Sequence, residues 1–212
     1  MTDYLQDIGI RYPALAHLKD DIKTVVDLLL KCYQDEGTIY TCGNGGSAAD
    51  SEHMVAEIMK GFRLKRRLTK GQTQEIAELY PDEAMEIAQN LEQSIPAISL
   101  VSNSALSTAI ANDLNPDYVF AQQIFGLGKP GDILIAISTS GNSVNIVNAA
   151  KVALARKLKV IALTGEGGGK LKEHASITIH APSNDVARIQ EYHLPIYHCI
   201  CSMIEDIVFS ET

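Results

Sequence analysis

The sequence contains no tryptophan, and aromatic residues make up only 6% of its 212 positions. It also lacks a run of 18 apolar residues and an amino-terminal apolar stretch with a basic flank, so neither membrane insertion nor secretion is indicated. Lysine and arginine number 18 against 26 acidic residues, and the net charge is -8. Because nucleic-acid-binding domains need a basic surface, nucleic acid is disfavoured as a partner. We expect a cytoplasmic protein with no membrane partner.

Cysteine is also rare, with four residues in the chain. Cys32 and Cys42 are isolated, and Cys199 and Cys201 form a C-x-C pair with no second pair to complete a zinc site. Disulfides are uncommon in the cytoplasm. We therefore expect four reduced thiols in the protein core.

Five short apolar runs rich in β-branched residues alternate with helical patterns along the chain. They lie at 38–42, 96–101, 133–138, 159–164 and 176–180. Such alternation predicts βα units and a parallel sheet that helices cover on both faces. With 46% hydrophobic residues the chain can bury one large core. We therefore expect a single α/β domain, a three-layer sandwich around a five-stranded parallel sheet.

A long helical pattern precedes the first strand, at about 12–35, and it ends near Gly37. It carries more apolar residues than a solvated helix needs, which favours packing against another subunit. A second helix is predicted at 48–63. Further helices begin near Ser104, Pro116, Asn142 and Asp185.

The segment at about 63–95 takes more than thirty residues to pass from the second helix to the second strand. Its sequence predicts two helical pieces divided at Pro81, an inserted hairpin or lid. The segment opens on the basic run "RLKRR" at 63–67. This run predicts a solvated helix end or loop, with a phosphate or partner contact as the alternative.

The first unusual loop is "CGNGGSAAD", which follows the first predicted strand. In open parallel sheets, ligands bind outside the carboxyl ends of the strands. Its glycines permit positive φ and close approach of the backbone, and Ser47 can cap the following helix or donate to an anion. A plain tight turn is an equally good explanation of this motif alone.

The second loop is "ISTSGNS", after the third predicted strand, with four hydroxyl residues around Gly141. Hydroxyl donors and free helix N–H groups at a helix start form a phosphate cradle. A capping turn is the structural alternative. The lysine of a Walker-type loop is absent, so hydrolysis of a nucleoside triphosphate is disfavoured and no nucleotide cofactor is expected.

Two pairs of polar residues at helical spacing could serve the same ligand. His53 and Glu57 are four residues apart, on one face of a helix, and Gln190 and His198 are eight apart on the last helix. Their N and O donors could bind a divalent metal, zinc being plausible. Satisfied polar residues at a helix interface are the alternative. His193 points elsewhere and is expected to be a surface or packing residue.

Several segments together resemble a known family: "CGNGGSAAD", "HMVAE", "AIANDLNPDYVFAQQI", "GDILIAISTSGNSVNIVNA", "VIALTGEGGGKL" and "ARIQEYHLPIYHCIC". They are similar to the sugar isomerase (SIS) domain of the phosphoheptose isomerases, across nearly the whole chain except its first residues and 62–94. The resemblance implies a single SIS domain with a flavodoxin-like core, in a homotetramer with active sites at subunit interfaces. It also implies interconversion of sedoheptulose 7-phosphate and D-glycero-D-manno-heptose 7-phosphate.

The same resemblance implies the site residues. Substrate would be bound by Asn44, Gly45, Gly46, Ser47, Glu57, Asn112, Asp113, Ser138, Thr139, Ser140, Ser143 and Gln190. One zinc ion per subunit would be bound by His53, Glu57, Gln190 and His198. Glu57 and His198 would be the catalytic acid and base, since an enediol route needs a base beside the carbonyl carbon and an electrophile at the developing oxyanion.

Two departures from the family pattern and two rival functions remain. Relatives connect the second helix to the second strand by a shorter segment, and some carry an acidic residue where this chain has Ala187. A non-catalytic SIS protein, which binds a replication initiator or senses sugar phosphates, is one alternative. An isomerase of another sugar phosphate, or an etherase on an amino-sugar phosphate, is the other. Glu57 and His198 argue against the non-catalytic alternative.

Overall fold

Five parallel strands form one sheet at the centre of the chain, in a computed structural model that describes residues 3–210. The strands are β1 (Ile39–Cys42), β2 (Ala97–Ser99), β3 (Ile133–Ile137), β4 (Lys159–Gly165) and β5 (Ile177–Ala181). Their order is β2-β1-β3-β4-β5, and Ile39 pairs with Ala97 on one side and Ile133 on the other. Each strand overlaps one predicted apolar run, so the predicted α/β class is confirmed.

Nine α-helices accompany the strands within residues 3–210. They are α1 (Tyr4–Arg11), α2 (Lys19–Gln34), α3 (Gly46–Met59), α4 (Lys70–Leu79), α5 (Ala84–Asn90), α6 (Ser104–Asp113), α7 (Val119–Leu127), α8 (Val144–Ala155) and α9 (Val186–Phe209). Short 3₁₀ turns lie at Pro13–Leu18, Pro116–Tyr118 and Leu171–His174. None of these helices is long and apolar enough to cross a membrane.

Alternate side chains of each strand enter two separate cores, which produces the three layers. Ile133 and Ile135 pack with α2, α3 and α9, whereas Leu134 and Ala136 pack with α7 and α8. All five residues of β3 are buried. A strand that is buried on both faces needs apolar residues at every position, as the sequence predicted.

The amino-terminal region differs from the single helix predicted at 12–35. The α-helical part begins only at Lys19, after the 3₁₀ turn, and a separate helix α1 precedes it. Pro13 explains the break, because a proline disfavours helical geometry in the residue before it, and Tyr12 has φ -130° and ψ 76°. The buried apolar side chains of α2 pack against α9 and the sheet of the same chain. Their number therefore does not itself require a partner subunit.

Two helices occupy the segment at 63–95, as its sequence predicted. Thr69 and Gln72 form a capping box at the start of α4, and α5 follows after Pro81. A surface cavity of about 890 Å³ lies beside this hairpin, and its described lining includes none of the predicted site residues. The two helices of the hairpin thus line a cavity that contains none of the predicted site residues in its described lining.

The prediction that "RLKRR" is solvated is wrong for Arg66. Its side chain is fully buried, and Nε donates to Oε1 of Glu205 over 2.8 Å. Arg66 also donates to the carbonyl oxygens of Glu57 and Ile58 at the end of α3. The charge is buried because a carboxylate and two carbonyl groups satisfy it. Local sequence could not reveal Glu205 as the partner, which lies 139 residues away.

The four cysteines are free and buried, as predicted. Burial raises the pKa of Cys32 to about 11 and that of Cys42 to about 12. Thiols with such pKa values are inert at neutral pH, because the thiolate is the reactive form.

His193 is a packing residue, one of the two alternatives expected for it. It is fully buried, and its Nε2 lies 3.2 Å from the carbonyl oxygen of Thr164. Burial lowers the pKa of His193 to about 4. The unfolded chain takes up this proton near the ordinary histidine pKa, so it binds more protons than the folded chain between these values.

The first prediction is that acidification destabilises the fold through His193. Between pH 7 and pH 5 the free energy of unfolding should fall by about 2 kcal/mol from this residue alone. Urea unfolding of the wild type and of His193→Gln at both pH values measures the difference. The Gln variant should lose less stability on acidification, and parallel curves for the two proteins would contradict the assignment.

Candidate active site

The glycine loop connects β1 to α3 at the carboxyl edge of the sheet. Gly46 is the first residue of α3, and a Cβ atom there would meet Nε2 of Gln190 at 2.5 Å. The amide of Gln190, near the start of α9, therefore lies against the backbone of the loop. Ser47 is buried in the first turn of α3. The glycine loop and the start of α9 are thus in contact.

The serine loop, residues 138–143, connects β3 to α8 at the same edge. Ser138 Oγ donates to Ser143 Oγ over 3.2 Å, and the side chain of Ser143 forms no capping bond to α8. Gly141 has φ 64°, and its backbone packs on Gly168 so closely that a Cβ atom would clash with the Gly168 carbonyl oxygen. The loop after β4 therefore packs against the backbone of the serine loop. The hydroxyl groups of the serine loop remain available to an anion.

Asn44 and Asn145 hold the two loops together. Each side-chain amide donates to the other's oxygen, and both hydrogen bonds are 2.9 Å long. Asn145 belongs to the first turn of α8, and its Oδ1 also accepts from the N–H of Ile146. These two hydrogen bonds thus join the glycine loop to the start of the helix that follows the serine loop, which the sequence predicted to be a phosphate cradle.

His53 and Glu57 lie together on one face of α3, as their spacing predicted. His53 Nε2 is 3.1 Å from Glu57 Oε1, and Lys60 Nζ is 3.1 Å from Glu57 Oε2. The side chain of Glu57 is 13% exposed, so a small ligand can reach a largely dehydrated carboxylate. Such a carboxylate, with a lysine and a histidine beside it, is suited to proton transfer.

His198 on α9 completes this group. The centroids of the His198 and His53 rings are 5.0 Å apart, and Phe62 packs on the other side of His198 at 5.2 Å. Nε2 of His198 is buried and has no hydrogen-bond partner among the described residues. Burial lowers the pKa of His198, and the charge of His53 lowers it further. The lowered pKa favours the neutral imidazole form of His198.

Two further residues, which the sequence did not single out, contact His53. The Tyr197 hydroxyl lies 2.9 Å from His53 Nδ1 and donates to Asp50 Oδ1 over 3.3 Å. Burial and the nearby Asp50 raise the pKa of Tyr197 above its usual range, so the hydroxyl keeps its proton. Spacing could have identified Asp50, because it precedes His53 by three residues and Glu57 by seven on one helical face.

Gln190, Asn112 and Asp113 form no hydrogen bond with His53, Glu57 or His198 in the described residues. The Gln190 amide lies at Gly46, about two turns of α3 before His53. Asn112 and Asp113 are exposed at the end of α6, where Asn112 Nδ2 donates to Asp113 Oδ1 over 2.7 Å. The predicted site residues therefore lie in three places: the glycine and serine loops with Gln190, the group of His53, Glu57 and His198, and the pair Asn112 and Asp113.

The His–Glu group suits a zinc ion in its chemistry. Two imidazoles and a carboxylate are common zinc ligands, and Nε2 of His198 is a buried nitrogen without a partner. Within residues 3–210, however, no three His, Cys, Asp or Glu side chains already converge as a metal-binding group. The fit therefore rests on the type of ligands and on the unpaired nitrogen.

Comparison with known proteins places the chain among sugar-phosphate enzymes. A family profile described as "SIS domain" matches residues 3–95 and 70–165. The phosphoheptose isomerase of Shewanella frigidimarina (strain NCIMB 400) is 36% identical over 211 residues, which cover 98% of this chain and 94% of that protein.

Solved structures agree with the sequence comparison. A phosphoheptose isomerase from Neisseria gonorrhoeae has a TM-score of 0.74 and 33% identity, with 96% of this chain and 95% of that chain covered. One from Francisella tularensis has a TM-score of 0.72 and 30% identity, with coverage of 97% and 100%. The likeness thus covers both the sheet and the loops that carry the site.

The second prediction concerns the support of the serine loop. Gly141→Ala should lower the free energy of unfolding by about 2 to 4 kcal/mol, from left-handed backbone strain and the clash with Gly168. Gly126→Ala is the matched control, since a Cβ atom there meets nothing within 4 Å. In the helix α7 it should stabilise by up to about 1 kcal/mol. Equal stability of the two variants in urea unfolding would refute this account of the loop.

Proposed function

We infer the reaction from the family: the chain belongs to the phosphoheptose isomerase family of SIS-domain proteins, and it is an isomerase of heptose phosphates. It interconverts sedoheptulose 7-phosphate and D-glycero-D-manno-heptose 7-phosphate through an enediol. The observation that carries this function is the 36% identity to a phosphoheptose isomerase across 98% of the chain. The His53–Glu57 pair on the helix that follows the glycine loop supports it.

The chain's own residues suggest how the sugar phosphate is bound. The hydroxyl groups of the serine loop and the first N–H groups of α8 hold the phosphate at the sheet edge. Asn44, Gly45 and Gly46 lie at the start of α3, where Gln190 contacts Gly46, and these four residues would contact the sugar. A phosphate held at one end leaves the reacting carbons to extend along α3 toward His53 and Glu57, so binding energy at the phosphate orients the other end.

Glu57 is the base that moves the proton. Aldose and ketose exchange when a base removes a proton from the carbon beside the carbonyl and returns it to the neighbouring carbon. The side chain of Glu57 is mostly buried, and Lys60 Nζ lies 3.1 Å from its Oε2. His198, with a lowered pKa, acts as a neutral partner that exchanges a proton with the sugar oxygens.

Zinc is part of this proposal. It would be held by His53, Glu57 and His198, with Gln190 as a fourth ligand that moves from its place at Gly46. When bound, such an ion polarises the carbonyl oxygen as a Lewis acid. The buried, unpaired Nε2 of His198 supports the proposal.

We also propose a cytoplasmic homotetramer with active sites at subunit interfaces, as the family resemblance implies. Asn112 and Asp113 support this arrangement, because they are exposed and hydrogen bond to each other rather than to the glycine or serine loop. In an interfacial site they would contact a sugar bound to a neighbouring subunit. The exposed apolar side chains of Leu114, Tyr118 and Phe125 lie close by in the sequence and are suited to such an interface.

The third prediction tests the base. Purified protein should convert sedoheptulose 7-phosphate to an aldose phosphate, and Glu57→Gln should lower kcat by at least about 100-fold, because the amide cannot take the proton. A coupled assay of product formation measures both. The matched control is Glu52→Gln on the same helix, where the carboxylate accepts from Ser102 instead, and it should keep near-normal turnover. Full activity of Glu57→Gln would remove Glu57 as the base.

The fourth prediction tests the metal. Protein purified without chelator should contain about one zinc or similar divalent ion per chain, and His198→Ala should lower this content. Elemental analysis of both proteins gives the ratio. His174→Ala is a suitable control, because His174 lies in the 3₁₀ turn after β4 and outside the site. Metal-free wild-type protein with full turnover would refute the ligand assignment but not the isomerase.

A further inference from the structure

The hairpin of α4 and α5 leaves most of its apolar side chains uncovered. No residue of α4 is buried, and α5 buries only Ala84. Leu79 is 77% exposed and Met85 is 64% exposed, and Tyr80 and Leu91 are exposed as well. Helices of ten and seven residues are too short to be stable by themselves, because most helical stability in proteins comes from the packing of an apolar face. The described part of the chain does not supply this packing for α4.

Positive charge gathers at one end of the hairpin. The start of α4 and the end of α5 line the same cavity, together with Lys65, Arg67 and Lys70. These three side chains form no ion pair in the described part of the chain. Glu92 is the only acidic residue in the described lining, and its Oε2 already accepts from the N–H of Gly61 over 2.7 Å. This basic end therefore presents three cations to a partner.

Negative charge gathers at the other end, where a short turn joins α4 to α5. Glu78 lies in the last turn of α4, Glu86 lies in the first turn of α5, and Asp82 and Glu83 lie between the two helices. All four side chains are exposed, and none forms an ion pair among the described residues. The hairpin thus has a basic end and an acidic end, with exposed apolar side chains along it.

This distribution of charge decides which kind of partner fits the hairpin. A partner surface of one sign, such as a nucleic acid or an anionic membrane, would attract one end and repel the other. A second copy of the same hairpin carries both signs. A two-fold axis through the middle of the hairpin places the basic end of each copy against the acidic end of the other. The apolar side chains of the two copies can then cover one another.

We propose that the hairpin of α4 and α5 is an interface with a second copy of this chain, in which basic and acidic ends meet around a two-fold axis. This surface is separate from the predicted site, because the described lining of its cavity contains none of the site residues. It also differs from the exposed apolar residues at 114–125 that would adjoin an interfacial active site. The proposal therefore goes beyond the isomerase function and does not depend on it.

Reversing the charge of either end tests this interface. Each variant exchanges three exposed side chains at one end: Lys65→Glu, Arg67→Glu and Lys70→Glu in the acidic variant, and Glu78→Lys, Asp82→Lys and Glu83→Lys in the basic variant. Either variant alone opposes like charges at both contacts. Its dissociation constant should therefore rise at least about 10-fold above that of the wild type. Sedimentation velocity over a series of protein concentrations should then show particles of half the wild-type mass.

Mixing the two variants is the deciding step. In an equal mixture, each end of the acidic variant meets an end of opposite charge on the basic variant, so particles of the wild-type mass should form again. The matched control reverses three exposed lysines on α8, on β4 and in the turn between them: Lys151→Glu, Lys157→Glu and Lys159→Glu. This control should keep the mass and the dissociation constant of the wild type.

The outcomes are distinct. A monomeric wild type, or wild-type mass and affinity in both charge-reversed variants, would overturn the proposal. A mixture that stays at half mass would also overturn it, because the two ends would then not face each other. Circular dichroism should show the wild-type helix content in every variant, since all the changed side chains are exposed. Failure of the wild type to convert sedoheptulose 7-phosphate would refute the proposed reaction and leave the measurements of mass unaffected.

Discussion

The buried ion pair between Arg66 and Glu205 is the interaction on which the arrangement of the site depends. Glu205, on α9, also accepts from the backbone N–H groups of residues 62–64, and Arg66 donates to the last carbonyl groups of α3. Burying two charges is costly unless their polar atoms are satisfied. Here this network satisfies them, so it joins the end of α3 to the carboxyl-terminal part of α9. Glu57 and His198 lie on these two helices, and their separation follows from that attachment.

Much of the fold could be predicted from local patterns, for physical reasons. A parallel strand that is buried on both faces must be apolar throughout. Each strand was therefore predicted from a short apolar run in the sequence, such as that at 133–137. The two loops were identified because helix starts at a sheet edge need glycines and hydroxyl groups in the same few positions. The His53–Glu57 pair followed from the period of the helix alone, and the structure places the two side chains 3.1 Å apart.

Local sequence patterns could not predict the features that depend on a partner distant in the sequence. The basic run at 63–67 predicts a solvated segment, because the sequence does not show that Glu205 lies beside Arg66. The sequence did not single out Tyr197, because its partners Asp50 and His53 lie on α3, far away in the sequence. Gln190 and His198 lie on one helix, as predicted, but the contact of Gln190 with Gly46 depends on how α9 packs against the loop.

The reciprocal amide pair of Asn44 and Asn145 carries no net charge in any ordinary solvent condition. Its two hydrogen bonds neither titrate nor weaken with ionic strength, and the hydroxyl groups of the serine loop share this property. The His53–Glu57 pair differs, because both of its side chains are ionisable. In the proposed binding mode, neutral groups would therefore hold one end of the ligand, and ionisable groups would lie at the other. The strength of phosphate binding by these loops would then depend on their geometry rather than on charged side chains.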